Sequence, residues 1–260
     1  MTQVTPFEGE FRRIFDTIPE QFDRCRQRYT PALFEHLIAA ANVQKGTAVL
    51  ELGPGTGQAT EPILATECDY YGIEIGDNFA RVLQEKYGSL PHFHLIHDDF
   101  ITHDFGTQQF DLIYSAATIQ WIPVEIAFQK TLSLLKPGGM LAMLRTRRDY
   151  RTPNEARYQL IQQAYDAYFK PAVAYPHRNF PYKSAPDWGY TDLQEHHFHD
   201  QMVLTADEYV DYCGTHCDHI VIPEPHKTQL FEGLRSAVNA FGGEMLFLDD
   251  HVLVTARKPL

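Results

Sequence analysis

Positive charge is scarce in this chain. Its 260 residues carry 22 Lys and Arg against 34 Asp and Glu, which gives a formal net charge of −12. A protein that grips phosphate backbones needs a basic surface, so this balance argues against a nucleic-acid partner. We therefore expect a small molecule as the binding partner.

Long apolar runs and a dense set of cysteines are also missing. No stretch approaches the roughly 20 apolar residues of a membrane span, and the polar N-terminus lacks the apolar core of a signal peptide. The four cysteines are few and irregularly spaced, as is typical of reduced thiols. We expect a cytoplasmic protein with no membrane partner. Its 44% hydrophobic residues suffice for one α/β domain over residues 1–260.

The most informative segment is residues 49–58, an apolar run that leads into closely spaced glycines. The run predicts a buried parallel strand, and the glycines predict a tight turn into a helix. Glycine has no Cβ, so backbone in such a turn can come very close to a ligand. The residues that we expect to contact a ligand here are Glu51, Gly53, Pro54, Gly55 and Gly57.

Two other nucleotide-binding patterns fit this turn less well. The dinucleotide fingerprint needs glycine at its sixth position, where this chain has Gln58. A phosphate loop needs a Lys followed by Ser or Thr, and none follows the turn. Glu51 would repel a pyrophosphate but would favour a cationic ligand.

The E-x-G-x-G-x-G pattern resembles motif I of class I S-adenosylmethionine (SAM)-dependent methyltransferases. A second predicted strand, residues 70–75, ends at Glu74 and Ile75, and a carboxylate there can accept hydrogen bonds from ribose hydroxyls. A third, residues 93–100, ends at Asp98, Asp99 and Phe100. In the resembled family an acid at this point meets the adenine amino group and an apolar neighbour lies against the ring. Asp98 and Asp99 are both candidates for that acid.

Two further segments extend the resemblance over roughly residues 45–145. A fourth predicted strand, residues 110–117, contains Ser115 and is followed by Trp121. Further along, Leu134–Gly139 ends a helix, and a fifth strand is predicted at Met140–Leu144. These segments resemble small-molecule methyltransferases, with the trans-aconitate-methyltransferase-like group as the nearest match. The resemblance implies SAM as cofactor and S-adenosyl-L-homocysteine (SAH) as product. It also implies a Rossmann-like α/β fold, with a seven-stranded, mostly parallel sheet in the order 3-2-1-4-5-7-6, an antiparallel last strand and helices on both faces.

The chain divides around this core into four parts of a single predicted domain. Residues 1–45 form an N-terminal helical arm, in which the resemblance places Tyr29 near the cofactor, and residues 46–145 form the SAM-binding core. Residues 146–192 are rich in aromatics and proline, and we expect a cap inserted at the ligand-binding edge of the sheet. Residues 193–260 complete the sheet and its helices.

The acceptor side carries weaker signals. Methyl transfer from a sulfonium needs a general base only if the acceptor arrives protonated, so no catalytic residue is assigned. We predict substrate contacts from Trp121, Arg145, His177, His216 and His219: stacking for the first, anion binding for the second and proton acceptance for the last two. Cysteines and histidines are interleaved in Cys213–His219, unlike the paired spacing of structural zinc sites, so no metal is expected.

These patterns predict a SAM-dependent methyltransferase that moves a methyl group to a small-molecule acceptor by direct in-line displacement. The alternatives are an NAD(P)-linked oxidoreductase on a related sheet, and a non-catalytic protein that binds SAM or a partner.

Ligand-dependent thermal unfolding separates these alternatives. At 100 times its dissociation constant, a ligand stabilises the native state by about 2.7 kcal/mol, which raises the melting temperature by a few degrees. We expect that rise with SAM and SAH and none with NAD or NADP at equal concentration. A rise with NAD or NADP alone would establish the oxidoreductase instead.

Overall fold

The computed structural model describes residues 11–26, 28–175 and 179–260. Within them three helical segments come first, and strands and helices then alternate from residue 48 to residue 149, except that no helix separates the strands at 93–97 and 110–116. The strands are β1 (Ala48–Leu52), β2 (Asp69–Glu74), β3 (Phe93–His97), β4 (Phe110–Ala116), β5 (Leu135–Asp149), β6 (Thr191–Thr205) and β7 (Glu244–Arg257).

The described residues also form α-helices and shorter 3-10 turns. The α-helices are α1 (Pro19–Cys25), α2 (Pro31–Ala41), α3 (Glu61–Leu64), α4 (Asp77–Tyr87), α5 (Val124–Leu134), α6 (Glu155–Tyr168), α7 (Ala206–Cys213), α8 (Cys217–Ile220) and α9 (His226–Asn239). The 3-10 helices are Phe11–Thr17, Ile119–Trp121, Thr152–Asn154 and Tyr182–Trp188. None of the described helices is both long enough and apolar enough to cross a membrane.

Local sequence explains where several helices begin. Pro19 and Pro31 stand at the first positions of α1 and α2, where the missing N–H has no intrahelical acceptor. Helix α7 begins with a capping box in which the side chains of Thr205 and Glu208 each accept the other's backbone N–H. These signals fix the helix starts independently of tertiary packing.

The strands form one seven-stranded sheet in the order β3-β2-β1-β4-β5-β7-β6. Strands β1 to β5 run parallel: Val49 of β1 pairs with Tyr70 of β2 on one side and Leu112 of β4 on the other. β7 runs antiparallel to β5, because Lys258 donates to Gly139 O at one end. The predicted fold and strand order are confirmed. The parallel register brings the carboxyl ends of β1 to β4 to one edge of the sheet.

The fifth strand differs from its prediction in length. Its sequence predicts a strand from Met140 to Leu144 preceded by a helix-ending turn. In the structure β5 already begins at Leu135, includes Pro137 and Gly139, and extends to Asp149. The pairing with β4 shifts register between Phe110 and Leu112, which accommodates the extra residues. The strand therefore continues where the local sequence predicts a turn.

Contacts divide the chain into two compact units, and the division falls within β5, β6 and β7. The described residues of the first are 28–147, 179–198 and 250–260, and it is here called the glycine-turn unit. One face of its sheet packs a core around Phe128 of α5 and Leu141 of β5, and the other a core around Leu37 of α2 and Tyr114 of β4. Helices thus cover both faces of this part of the sheet.

The described residues of the second unit are 11–26, 148–175 and 199–249, and it is here called the helical unit. Its core includes Ile161 of α6, Val210 of α7 and Leu234 of α9. Arg148 forms a two-pronged ion pair with Asp249: Nε and Nη2 donate to Oδ1 and Oδ2, both at 2.6 Å. The Asp249 side chain has 0% exposure, so its charge depends on this partner.

Replacing Asp249 tests how much this buried pair contributes. The Asp249→Asn substitution leaves the Arg148 charge buried beside a neutral group, so we expect a loss of about 3–5 kcal/mol in the free energy of unfolding by urea. Asp207→Asn is the matched control, because Asp207 pairs with Arg235 at the same 2.6 Å but with 81% exposure. The control should lose less than about 1 kcal/mol. Equal losses in the two variants would refute the dependence on burial.

Candidate functional site

The turn after β1 requires glycine both for its conformation and for space. Gly53, Gly55 and Gly57 have φ angles of 62°, 62° and 96°, in the left-handed region. A Cβ at Gly53 would lie 2.4 Å from the Thr118 methyl carbon, and one at Gly57 would lie 2.9 Å from the Tyr87 ring. The turn is therefore packed from two sides at backbone distance.

Glu74, at the end of β2, joins this turn to the neighbouring strand ends. Its carboxylate is buried and accepts the N–H of Gly55 through one oxygen and that of Gly76 through the other, both at 2.9 Å. Its carbonyl accepts the N–H of Asp98 at 3.0 Å. These bonds bring the predicted ligand-binding residues of β1, β2 and β3 together at one edge of the sheet.

Two cations fix the outer side of the turn. Arg28, in the N-terminal arm, donates to Gly57 O at 3.3 Å, and Lys86 of α4 donates to Thr56 O at 2.8 Å. Gly57 O also accepts the N–H of Thr60 at 3.3 Å, so both of these carbonyls are hydrogen-bonded. The glycine turn is held by side chains from elements that precede and follow it in the chain.

Glu51 is held by hydroxyl groups that its sequence position did not predict. Its side chain is buried, and one carboxylate oxygen accepts three hydroxyl groups: Thr60 at 2.7 Å, Tyr70 at 2.5 Å and Tyr114 at 2.6 Å. Burial raises the pKa of Glu51, although these three hydroxyls oppose the rise. The hydrogen bonds of this carboxylate therefore connect β1 to β2, β4 and the start of α3.

The two acids after β3 have distinct local partners. Asp98 is exposed and accepts His103 Nδ1 at 2.8 Å; this bond lowers the pKa of Asp98. Asp99 accepts the N–H of Ile101 at 2.9 Å and so stabilises the turn that follows the strand. Each acid keeps a local structural partner, and both remain candidates for adenine recognition.

Lys130 of α5 holds the loop that carries these acids. Its ammonium group donates to the carbonyls of Phe100 at 2.6 Å and His103 at 2.5 Å. Burial lowers the pKa of Lys130, while the nearby carboxylates oppose the change. The sequence offered no signal for this role, because Lys130 lies about 30 residues beyond the loop and on a helix.

The end of β4 contributes a second group of contacts to the glycine turn. Thr118 Oγ1 donates to Gly53 O at 3.0 Å, and Gln120 Nε2 donates to Ala117 O at 3.0 Å. Ser115, one of the predicted cofactor contacts, is fully buried, and its Oγ has no hydrogen-bond partner. Thr118 was missed from the sequence, although a hydroxyl residue just after a strand is a recognisable signal.

The remaining predicted cofactor residues lie in the glycine-turn unit with differing exposure. Pro54 and Phe100 are buried, Phe100 within a hydrophobic core, whereas Ile75 and Trp121 are half-buried. Tyr29 lies in the arm, with its ring edge-to-face against other rings, among them His251 at 5.3 Å. The assignment of these residues to a cofactor stays a prediction.

Of the predicted acceptor residues, Arg145 lies in the glycine-turn unit and the two later histidines lie in the helical unit. His219 Nδ1 contacts Asp218 at 2.7 Å and Nε2 contacts Tyr165 OH at 2.9 Å. Burial, and then the charge of Arg26, lower the pKa of His216 well below its usual value. His177 lies outside the described residues.

His216, Asp218 and His219 place their ligand atoms within 4.8 Å of one another, close enough for a metal ion. A metal would have to displace a partner of whichever ring nitrogen of His219 it bound, because Nδ1 already contacts Asp218 and Nε2 contacts Tyr165. It would also meet the positive charge of Arg26, whose field acts on His216. The expectation of no metal stays a prediction.

The segment that contains the glycine turn is also similar to known proteins. A family model described as "Methyltransferase domain" matches residues 50–143. These residues contain the glycine turn, Glu74 and the acids after β3. This match supports a class I SAM-dependent methyltransferase.

Relatives are similar over part of their lengths. The demethylmenaquinone methyltransferase of Staphylococcus epidermidis is 26% identical over 165 residues, which are 60% of this chain and 66% of that protein. The ribosomal RNA small subunit methyltransferase A of a Synechococcus strain is 40% identical, but over 75 residues and 27% of each chain. The chain thus spans slightly less than two thirds of the first relative and about a quarter of the second.

A solved structure supports the fold. Phosphoethanolamine N-methyltransferase 2 of Haemonchus contortus, in complex with S-adenosyl-L-methionine, superposes with a TM-score of 0.59 at 16% identity. The match covers 99% of this chain and 61% of that one. At this identity the similarity concerns the sheet and its helices. The trans-aconitate-like subgroup stays a prediction.

The buried Glu51 carboxyl gives the methyltransferase domain a characteristic pH dependence. Because the pKa of Glu51 is raised, the folded state binds a proton at this carboxyl more tightly than the unfolded state does. Proton binding therefore stabilises the fold fully below about pH 4.5, and this stabilisation is lost as the pH rises through the raised pKa. We expect this fall in unfolding free energy to be smaller in Glu51→Gln, measured by urea unfolding at a series of pH values. Glu85→Gln, on exposed α4, controls for one lost charge. Parallel curves for wild type and Glu51→Gln would contradict the assignment.

Proposed function

We propose that this protein transfers a methyl group from SAM to a small-molecule acceptor by direct in-line displacement. The observation that carries the proposal is the glycine turn whose Gly55 N–H is held by the Glu74 carboxylate. This arrangement leaves close-approach backbone next to an acidic strand end, as an adenosyl ligand with ribose hydroxyls requires. SAM is the cofactor and SAH the product.

The cofactor residues follow the strand ends. Glu74, with Ile75 beside it, accepts the ribose hydroxyls, and Asp98 or Asp99 accepts the adenine amino group. Phe100 supports the adenine loop from within the core. The methionine end lies along the glycine turn, with contacts from Tyr29, Glu51, Gly53, Pro54, Gly55, Gly57, Ser115 and Trp121.

The protein's chemical task in this reaction is modest. The sulfonium is already an activated donor, so holding the nucleophile and the methyl carbon in line accounts for most of the expected acceleration. An acceptor that arrives protonated needs a base, which typically contributes about 10²–10⁴-fold. No residue is assigned to that role.

Composition and comparison both favour a small acceptor. The net charge of −12 opposes nucleic-acid binding. The similarity to a demethylmenaquinone methyltransferase extends over 60% of this chain, while that to the ribosomal RNA enzyme stops at 27%. The composition also favours a cytoplasmic location.

Removing the Glu74 carboxylate should weaken cofactor binding. In Glu74→Ala we expect SAH affinity, measured by titration calorimetry, to fall by about 1–3 kcal/mol because charge-assisted hydrogen bonds are lost. Glu74→Gln keeps an acceptor oxygen and should lose less. Glu67→Ala removes an exposed carboxylate paired with Lys45 and should bind SAH as the wild type does. An unchanged affinity in Glu74→Ala would place the ribose elsewhere.

Transfer itself is tested with SAM that carries a labelled methyl group. Incubation with a low-molecular-mass metabolite fraction should move the label into a small product, and Glu74→Ala should slow that transfer. Label in added total RNA instead would favour a nucleic-acid acceptor. SAH binding without label in any fraction would favour the non-catalytic alternative.

A further inference from the structure

Arg145 stands out in the glycine-turn unit as a cation without a protein anion. It lies on β5 directly after Leu144, whose carbonyl accepts the N–H of Ala117 at 3.0 Å. Its Nε is buried and has no hydrogen-bond partner. Among the residues that the structure describes, no carboxylate forms an ion pair with Arg145. Buried polar groups in native proteins are almost always paired, so this donor calls for an explanation.

The guanidinium of Arg145 lies over an aromatic ring that is itself fixed. Its Cζ is 4.7 Å from the centroid of the Tyr182 ring. Tyr182 is buried, and its hydroxyl donates to Gln120 Oε1 at 3.0 Å. A guanidinium held against a ring keeps its N–H groups in a rigid planar fork, which matches the oxygens of carboxylates and phosphates.

This Arg145–Tyr182 pair is connected to the glycine turn by a short series of contacts. Gln120, which holds Tyr182, also donates to Ala117 O, and Thr118 donates to Gly53 O. The segment between β4 and α5 therefore touches the proposed cofactor turn at one residue and the ring beneath Arg145 at another. A ligand at Arg145 would lie beside the cofactor.

Ser115 provides a second, independent sign on the same face of the sheet. It pairs with Met143, two residues before Arg145, so the two side chains point to the same face as diagonal neighbours. Its Oγ is also buried without a partner. Two adjacent positions at this end of the sheet thus hold polar atoms that the protein leaves unsatisfied, as a ligand-binding surface requires.

We propose that Arg145, supported by the Tyr182 ring, binds an anionic group of the methyl acceptor, either a carboxylate or a phosphate. The proposal rests on the proposed function and extends it by naming the substrate class. In a protein of net charge −12 an anionic substrate is repelled overall, so a local unpaired cation next to the cofactor supplies the attraction that such a substrate needs. Arg145 acts as a specificity-determining residue.

Three probes that share one ring test this assignment on SAH-saturated protein: benzoate, phenyl phosphate and benzamide. We expect benzoate or phenyl phosphate to raise the melting temperature and benzamide, which is neutral, to leave it unchanged. The anion that raises the melting temperature more identifies the anionic group of the acceptor as a carboxylate or a phosphate. Arg145→Gln should weaken anion binding by about tenfold to a hundredfold in calorimetric titration, and Arg145→Lys, which keeps charge but loses the fork, by less.

Controls distinguish this proposal from the proposed function on which it rests. SAH affinity should be the same in wild type and both Arg145 variants, and Arg81→Gln, which removes a cation from exposed α4, should bind the anions as the wild type does. Failure of the wild type to bind SAH would overturn the proposed function. An SAH-bound wild type that does not distinguish either anion from benzamide, or anion binding that survives both Arg145 substitutions, would overturn the role of Arg145 alone.

Discussion

The left-handed turn at Gly53–Gly57 is the constraint on which the rest of the site depends. Its backbone lies so close to Thr118 and Tyr87 that a single added carbon would overlap them. Packing at that distance lets the carboxylate of Glu74 reach a main-chain N–H of the turn rather than water. Because side chains from β2, α4, the N-terminal arm and the segment after β4 contact the turn, its shape is set before any ligand binds.

The polar groups around the turn divide into two classes. Most are satisfied within the protein: the turn carbonyls by Arg28 and Lys86, and the loop after β3 by Lys130. At the ends of β4 and β5, Ser115 and Arg145 retain buried polar atoms without partners. The hydrogen-bonded groups hold the backbone of the site in place, and the unpaired groups lie where we propose that a ligand binds.

The strand order was implied by the resemblance to class I methyltransferases, whereas the residues at the strand ends were predicted from short-range patterns: apolar runs and the spacing of glycines and acids. Local sequence could not predict the partners of Glu51, because Tyr70 and Tyr114 lie 19 and 63 residues away and meet it only through strand pairing. The early start of β5 was missed for the same reason, since β4 and the C-terminal segment override the turn signal at Pro137. The contact of His219 with Tyr165 could not be predicted either, because the two residues lie 54 positions apart and meet only in the folded helical unit.

The hydroxyl cage around Glu51 also constrains how this domain can vary. Thr60, Tyr70 and Tyr114 all donate to one oxygen, so the loss of any single hydroxyl leaves a buried carboxyl short of a donor. Replacement of the whole set by apolar residues of matching shape removes the need for donors and can be nearly neutral. These four positions are therefore energetically coupled, and sequence drift through them is favoured when they change as a group.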